Sequence, residues 1–187
     1  FWGKHSPVLF PIVGTLKNNT FYHNDKEYTL SRHGFARDME FQLVEKTESS
    51  ATFSLQSNSE TLKNYPFKFE LQIQYILIGT TLELTYRVIN KDNTDMPFSI
   101  GAHPAFALPR DFEDYSLAFE EVEPLEYTLL EKDLVSKQTE KIKTNSNTVP
   151  LTYKLFERDA LIFKTLKSNS LTIIEKENPI LKVHFED

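Results

Sequence analysis

The sequence predicts a single mostly-β domain, a β-sandwich or a β-barrel, on the basis of three observations. Apolar and polar residues alternate with a period of two in several short stretches, as in strands with one buried face. Clusters of asparagine, aspartate and serine separate these stretches at the spacing of turns. No stretch carries a sustained apolar stripe with the helical period of 3.6 residues. The length of 187 residues fits one domain.

The clearest strands are predicted between residues 67 and 88. Apolar side chains occupy the odd positions from 67 to 77, and the alternation resumes over 82–88 after a break at Gly79. Two alternating stretches around a glycine-containing turn predict an antiparallel hairpin. Residues 125–141 and 151–158 could each hold a turn or two of helix. Weaker alternations predict further strands at 39–43, 53–55, 171–173 and 181–185.

Composition excludes several classes of function. The chain has 21 basic and 27 acidic residues and a net charge of −6. This balance argues against nucleic acid or an anionic membrane as the main partner, because both need clustered lysine and arginine. The absence of cysteine excludes disulfides, thiolate metal sites and cysteine nucleophiles. The five glycines are too scattered for a phosphate-cradling loop, and no histidine pair has metal-ligand spacing. We therefore expect no metal and no cofactor.

The sequence also predicts the cellular location of the protein and the completeness of the chain. No apolar run approaches the roughly 18 residues that a membrane helix needs, and no signal peptide opens the chain. We expect a soluble, cytoplasmic protein. The chain begins at Phe1 and stops at Asp187 directly after a strand-like alternation, and an unpartnered strand is an unusual end for a fold. We expect a fragment that lacks both its opening and its closing strands.

Two histidine-containing segments stand apart from the alternating strands. In 31–38, His33 lies among charged residues beside a glycine, and in 99–106 the following Pro104 favours an extended backbone at His103. Histidine titrates near physiological pH, so it can give a proton to a ligand oxygen and take it back. These segments are therefore the candidate site for proton transfer on a polar, neutral ligand.

Ordinary structural roles remain open for the same residues. Arg37 offers several fixed hydrogen-bond donors for hydroxyls or a phosphate, but it could equally pair with Asp38 on the surface. Phe106 could form the aromatic wall of a sugar pocket or pack in a core. Either candidate histidine could be a plain surface or core residue, and that interpretation is preferred for His5, His23 and His184.

Several short motifs together identify a family. They are FPIVGTLKN at 10–18, YTL at 28–30 followed by HGFAR at 33–37, FSIGAHPAF at 98–106, and RDALIF at 158–163. In their order and spacing they resemble the aldose 1-epimerase (galactose mutarotase-like) family, specifically its bacterial LacX-type branch. The resemblance implies an all-β fold, a β-supersandwich of large twisted antiparallel sheets, and we expect this chain to hold only part of that fold.

The family resemblance implies interconversion of the α and β anomers of an aldose. A carboxylate base removes the proton of the anomeric hydroxyl while a histidine acid protonates the ring oxygen. The ring opens, the aldehyde end rotates about the C1–C2 bond, and the ring closes on the other face. The implied partner is a small-molecule sugar, free or phosphorylated.

The resemblance also implies roles for individual residues. His103 matches the general acid, and His33 matches a second histidine that hydrogen-bonds the substrate near the reacting oxygens. Arg37 matches a residue that helps to hold the phosphate in sugar-phosphate relatives, and Asp159 matches an acceptor for a substrate hydroxyl. Where many relatives carry a substrate-contacting arginine this chain has Thr15, a contact that Lys17 could partly replace.

The family's base is a glutamate beyond the position that matches Asp187, so the chain alone is expected to lack it. Glu175, Glu177 and Glu186 do not match that motif. Two alternatives remain open: a non-catalytic carbohydrate-binding or sensing domain on the same scaffold, and a hexose-6-phosphate 1-epimerase. The latter requires Arg37 to converge with another cation, such as Lys17 or Arg110.

Overall fold

The structure, a computed structural model, describes residues 5–144 and 146–185. Phe1 and Asp187, where the sequence is expected to be cut, lie outside the described residues. The chain divides into two compact units, Phe1–Ala105 and Phe106–Asp187, and each is described separately below. The prediction of a single domain stays a prediction.

The first unit is built mainly from antiparallel strands. The strands are β1 (Val8–Leu9), β2 (Thr20–His23), β3 (Lys26–Thr29), β4 (Gln42–Lys46), β5 (Ser50–Gln56), β6 (Phe69–Ile78), β7 (Thr81–Asn90) and β8 (Gly101–Ala102). A four-stranded sheet has the order β4-β5-β6-β7, and two smaller sheets pair β2 with β3 and β1 with β8. Single helical turns lie at α1 (Thr61–Asn64) and, as 3₁₀ turns, at Lys17–Asn19 and Ala36–Asp38.

The predicted hairpin at 67–88 is confirmed as β6 and β7. Their register runs from the pair of Phe69 with Asn90 to the pair of Ile78 with Thr81, which leaves a two-residue turn that begins with Gly79 at φ +59°. A glycine at positive φ is what such a tight hairpin turn requires. The period-two alternation therefore predicted both strands and their connection.

Burial along this hairpin is less complete than the alternation predicts. On the inward face of β6, Leu71 and Ile73 are buried, but Leu77 is 53% exposed and its cross-strand partner Leu82 is 55% exposed. Leu84 is also exposed. The turn end of the hairpin extends past the core cluster of its unit, so alternation at that end has no layer to pack against within the unit.

The core of the first unit is aromatic and is centred on Phe10. The Phe10 ring is fully buried and makes edge contacts with Tyr65 and Phe69, with ring centroids 6.1 Å and 5.0 Å away. Phe35 packs against it with a centroid distance of 6.4 Å. Edge-to-face pairs of this kind stabilise a core beyond simple burial. Phe35 belongs to the first candidate histidine segment, residues 31–38, so this core fixes that segment to the sheet.

The second unit is also formed from antiparallel strands. The strands are β9 (Tyr115–Phe119), β10 (Glu126–Glu131), β11 (Leu134–Lys141), β12 (Thr148–Pro150), β13 (Ser170–Glu175) and β14 (Asn178–His184). A four-stranded sheet has the order β12-β9-β13-β14, and β10 pairs with β11. 3₁₀ turns lie at Phe112–Asp114 and Tyr153–Phe156. The all-β prediction is confirmed.

One expectation for this unit is wrong. Residues 125–141, a possible site for a turn or two of helix, form the β10–β11 hairpin instead. The register of this hairpin shifts between Thr128 and Leu130, and such a bulge interrupts period-two alternation. The interrupted pattern is the reason that the sequence did not indicate strands here. The second possible helical stretch holds one 3₁₀ turn, Tyr153–Phe156.

Glu123 ties two loops of the second unit together. Its buried carboxylate accepts hydrogen bonds from the backbone N–H groups of Lys167 at 2.7 Å and Ser168 at 2.9 Å, and from the Ser168 hydroxyl at 2.7 Å. Burial by itself raises the pKa of Glu123, but these hydrogen bonds outweigh it and hold the pKa below its usual value. The carboxylate is therefore ionised at neutral pH and accepts three hydrogen bonds from the second loop.

Glu123→Gln is expected to lower the free energy of unfolding by about 2 kcal/mol, because hydrogen bonds to a charged acceptor are lost and an amide N–H₂ meets the donors. A depressed carboxyl pKa stabilises the fold above the unfolded-state pKa and loses this effect as the pH falls through the folded-state value. Urea unfolding at neutral pH, and again in acid where the difference should shrink, measures both. Glu121→Gln, at an exposed position of the same loop, is the control, and equal losses for the two variants would contradict the assignment.

Candidate functional site

The two candidate histidines lie side by side in the first unit. The ring centroids of His33 and His103 are 5.8 Å apart, with an angle of 57° between the ring planes. His33 is half-buried and His103 is exposed. Two imidazoles at this separation can contact neighbouring oxygens of one small ligand, within ordinary hydrogen-bond distances of each ring.

The pairing of β1 with β8 places His103. Val8 pairs with Ala102 and Leu9 with Gly101, so His103 follows β8 directly. Its backbone N–H continues the ladder and donates to the carbonyl of Pro7 at 3.1 Å. The backbone of His103 is thus held by the sheet, while its side chain lies at the surface, where it can exchange protons with a ligand.

A close backbone approach places His33. Gly34 forms a parallel bridge with Phe10, and the carbonyl of Phe10 accepts the N–H groups of Phe35 at 3.1 Å and Ala36 at 3.2 Å. A Cβ atom on Gly34 would overlap the Phe10 carbonyl and lie 2.7 Å from Cδ of Pro11. Only glycine therefore allows this approach, which anchors the turn that carries His33 to the buried Phe10.

His33 and Gly14 form a reciprocal pair of hydrogen bonds, which we call the Gly14–His33 clamp. The backbone N–H of His33 donates to the carbonyl of Gly14 at 2.8 Å, and the backbone N–H of Gly14 donates to Nδ1 of His33 at 3.0 Å. Both residues have positive φ, +79° for Gly14 and +67° for His33. A non-glycine residue in this region is uncommon, and here the clamp holds it.

The surroundings of His33 are cationic. Burial lowers the pKa of His33, and the charges of Arg32, Arg37 and His103 lower it further. A histidine with a depressed pKa is neutral at physiological pH. In that form it offers one ring N–H as a donor and one ring nitrogen as an acceptor.

Arg37 has partners of its own within the same segment. Its Nη2 donates to the carbonyl of Arg32 at 3.0 Å, and its Nε lies 3.5 Å from Oδ2 of Asp38. The ion pair between Arg37 and Asp38, which the sequence left open as an ordinary structural role for Arg37, is therefore present. The charge of Arg37 is also one of the causes that lower the pKa of His33.

The other predicted site residues are placed as follows. Lys17 is an exposed residue of the first unit, in the 3₁₀ turn Lys17–Asn19. Asp159 and Phe106 belong to the second unit, and both are exposed. Asp159 has φ +78°, and its Oδ1 accepts the N–H of Ala160 at 2.7 Å. The sugar-binding roles of these three residues stay predictions.

Arg110, considered as a second cation for a phosphate, forms an ion pair in the second unit. Its Nε lies 2.5 Å from Oε1 of Glu175, whose other oxygen accepts the hydroxyl of Tyr115 at 3.3 Å. Its charge is thus offset by a neighbouring carboxylate. Among the residues that the structure describes, no cluster of three or more histidine, aspartate or glutamate side chains could hold a metal ion. No helix in the described parts of the chain is long and apolar enough to cross a membrane.

The site contains one residue that sequence reasoning missed, Gly14. It lies in the motif at 10–18, and its function there comes from its backbone N–H and its positive φ. A glycine flanked by Val13 and Thr15, in a stretch without alternation, was the available signal. Sequence alone did not connect it with His33.

Comparisons with known proteins show the family of the chain. The family model described as Aldose 1-epimerase matches residues 1–185. Two proteins of Lactococcus lactis subsp. lactis, the plasmid and the chromosomal forms of Protein LacX, are each 38% identical to the chain over 201 aligned positions, which cover 100% of the chain and 67% of each relative.

Solved structures are similar over nearly the whole chain. A galactose mutarotase related enzyme from Lactobacillus acidophilus has a TM-score of 0.88 and 37% identity, and the match covers 94% of this chain and 60% of that one. A galactose mutarotase-like protein from Lactobacillus casei has a TM-score of 0.85 and 34% identity, with 94% and 62% covered. The chain thus spans about three fifths of the length of these two structures.

Proposed function

Because the chain belongs to the aldose 1-epimerase family, we propose that it carries part of the active site of an isomerase that interconverts the α and β anomers of an aldose. One observation supports this proposal above the others. The His33 and His103 rings, from segments distant in the sequence, lie 5.8 Å apart. General acid catalysis on a sugar needs a proton-donating side chain, such as a histidine, within hydrogen-bond distance of the ring oxygen.

His103 is the proposed general acid. As a base takes the proton of the anomeric hydroxyl, His103 gives its proton to the ring oxygen, the bond between C1 and the ring oxygen breaks, and C1 becomes an aldehyde. After rotation about the C1–C2 bond, the former ring oxygen attacks the other face of C1 and returns its proton to His103, while the base gives its proton back to the aldehyde oxygen, which becomes the anomeric hydroxyl again. Each group recovers its starting state, so the reaction consumes nothing. The exposure of the His103 side chain suits this exchange.

His33 is the proposed substrate-binding partner of His103. It hydrogen-bonds an oxygen close to the reacting centre, and Arg37 adds positive charge to the same region. Asp159, Lys17 and Phe106 are proposed to contact sugar hydroxyls or the apolar face of the ring. The family supplies the base as a glutamate. Since no glutamate of this chain matches that motif, the proposal assigns no base within it.

A non-catalytic sugar-binding domain is the second candidate. The same pair of imidazoles can donate hydrogen bonds to a sugar without turning it over, since a fold does not fix a function. The residue at the family's base position in the full-length protein distinguishes the two candidates: a glutamate there supports the enzyme, and a neutral residue supports the sugar-binding domain. A hexose-6-phosphate epimerase is a narrower form of the first candidate, and the charges of Arg32 and Arg37 beside His33 favour a phosphorylated sugar.

Polarimetry on the full-length protein tests the proposal. Freshly dissolved α-anomers of common aldoses and aldose 6-phosphates are mixed with the protein, and the approach of optical rotation to equilibrium is compared with buffer alone. The proposal expects acceleration for at least one sugar. Saturable binding without acceleration supports the sugar-binding domain instead, and neither binding nor acceleration with any sugar contradicts both.

A further inference from the structure

We propose that His33 acts as a neutral imidazole held in a single tautomer, with its proton on Nε2 as a hydrogen-bond donor to the ligand, and that the backbone amide of Gly14 is the positioning group that holds it so. This inference rests on the proposed function, because it assigns a form to one of the two histidines of that site. It goes beyond the substrate-binding role that the family resemblance implies for His33, because it assigns the protonation form of the ring and the group that fixes it.

The Gly14–His33 clamp selects the tautomer. The N–H of Gly14 points at Nδ1 of His33 from 3.0 Å, so Nδ1 must accept and cannot carry a proton. A neutral imidazole whose Nδ1 accepts has its hydrogen on Nε2. The second hydrogen bond of the clamp, from the N–H of His33 to the Gly14 carbonyl at 2.8 Å, fixes the two backbones against each other.

The same clamp opposes protonation of His33. An imidazolium carries hydrogens on both ring nitrogens, so two N–H groups would face each other across the Gly14 contact. The charged groups around the ring act in the same direction: Arg32, Arg37 and His103 all disfavour a second positive charge, and burial adds to their effect. The carboxylate of the segment, Asp38, is paired with Arg37.

A neutral His33 has a consequence for His103. Two imidazolium ions with ring centroids 5.8 Å apart repel each other. If His33 stays neutral throughout turnover, a proton on His103 meets no such repulsion from its neighbour. His33 therefore contributes an uncharged donor, and His103 alone transfers the proton on this side of the sugar.

Nitrogen-15 NMR of the full-length protein, labelled in histidine, measures the tautomer directly. The expected result is an unprotonated Nδ1 and a protonated Nε2 for His33 at pH 7 and pH 8, with the neutral form still dominant at pH 6.5, the ordinary pKa of histidine. An imidazolium at pH 7, a proton on Nδ1, or a mixture of both tautomers would overturn the proposal. Assignment uses the signals that disappear in His33→Asn.

A matched pair of variants tests the donor. In His33→Asn the side-chain oxygen can replace Nδ1 as acceptor for Gly14, and asparagine tolerates positive φ, but the donor at Nε2 is gone. In His33→Gln the amide nitrogen can reach the Nε2 position. We expect kcat/KM to fall about tenfold or more in the asparagine variant, as for one lost hydrogen bond, and to recover partly in the glutamine variant.

The pH dependence separates a neutral donor from a titrating acid or base, while the partial recovery in His33→Gln separates it from a structural role. A neutral donor does not titrate, so the loss in His33→Asn should be the same at pH 7 and pH 8. Wild-type turnover by the asparagine variant, or a loss that follows a titration of His33 in this range, would contradict the proposal. A protein with the expected tautomer that accelerates no sugar would refute the proposed function and still support the clamp.

Discussion

His103→Ala in the full-length protein is expected to lower kcat/KM for anomer interconversion by about 10²–10⁴-fold, the contribution of one positioned acid–base group. The reason is chemical, because alanine cannot protonate the ring oxygen and no other titratable side chain of the described residues is assigned to that step. Polarimetry on the two proteins measures the loss.

Folding of this variant should change little. The side chain of His103 is exposed, and the hydrogen bond from its backbone N–H to Pro7 does not depend on the side chain. Exposed substitutions of this kind usually alter stability by less than about 0.5 kcal/mol. His184→Ala, at another exposed histidine, is the matched control and should keep full activity. Wild-type turnover by His103→Ala would remove the assigned role.

Gly34→Ala is expected to have the largest effect on stability. Alanine at φ +68° is strained, and its Cβ would overlap the carbonyl of Phe10 and press on Pro11. Left-handed strain costs about 1–2 kcal/mol and overpacking about 1–3 kcal/mol, so we expect a loss of about 3 kcal/mol or more. Because the same contact anchors the turn of His33, the NMR signals of that ring should also shift.

Gly79→Ala separates the cost of backbone strain at positive φ from the cost of steric overlap of the new Cβ atom. Gly79 also has positive φ, +59°, but a Cβ there would meet nothing within 4 Å. Its replacement should cost only the backbone term, about 1–2 kcal/mol. Urea unfolding of the two variants gives the comparison, and equal losses would show that the approach of Gly34 to Phe10 is not the tight contact described above.

The fold could be predicted where apolar and polar residues alternate in step with the two-residue repeat of a regular strand. The β6–β7 hairpin was evident because its strands run for ten residues each without a bulge. The β10–β11 hairpin was not, because its register shifts between Thr128 and Leu130. Alternation also could not show that Leu77 and Leu82 would be exposed, since it reports which face a residue takes and not how far the core extends.

The site was predictable only in part, because sequence motifs indicate which side chains are candidates but not how the backbone positions them. His33 and His103 were candidates because of their local sequence and the family resemblance, and the structure brings their rings together. The Gly14–His33 clamp was not predictable, because it depends on a backbone N–H and on a positive φ at a non-glycine residue. Neither property is carried by side-chain identity.

The central claim is that His33 and His103 contact one sugar. An NMR titration of the full-length protein with the aldose that it binds, following the imidazole signals of all histidines, tests this directly. The account predicts that the signals of His33 and His103 shift together with a single Kd, while the signal of His184 stays in place. A saturated complex in which only one of the two signals moves, or neither does, would contradict it.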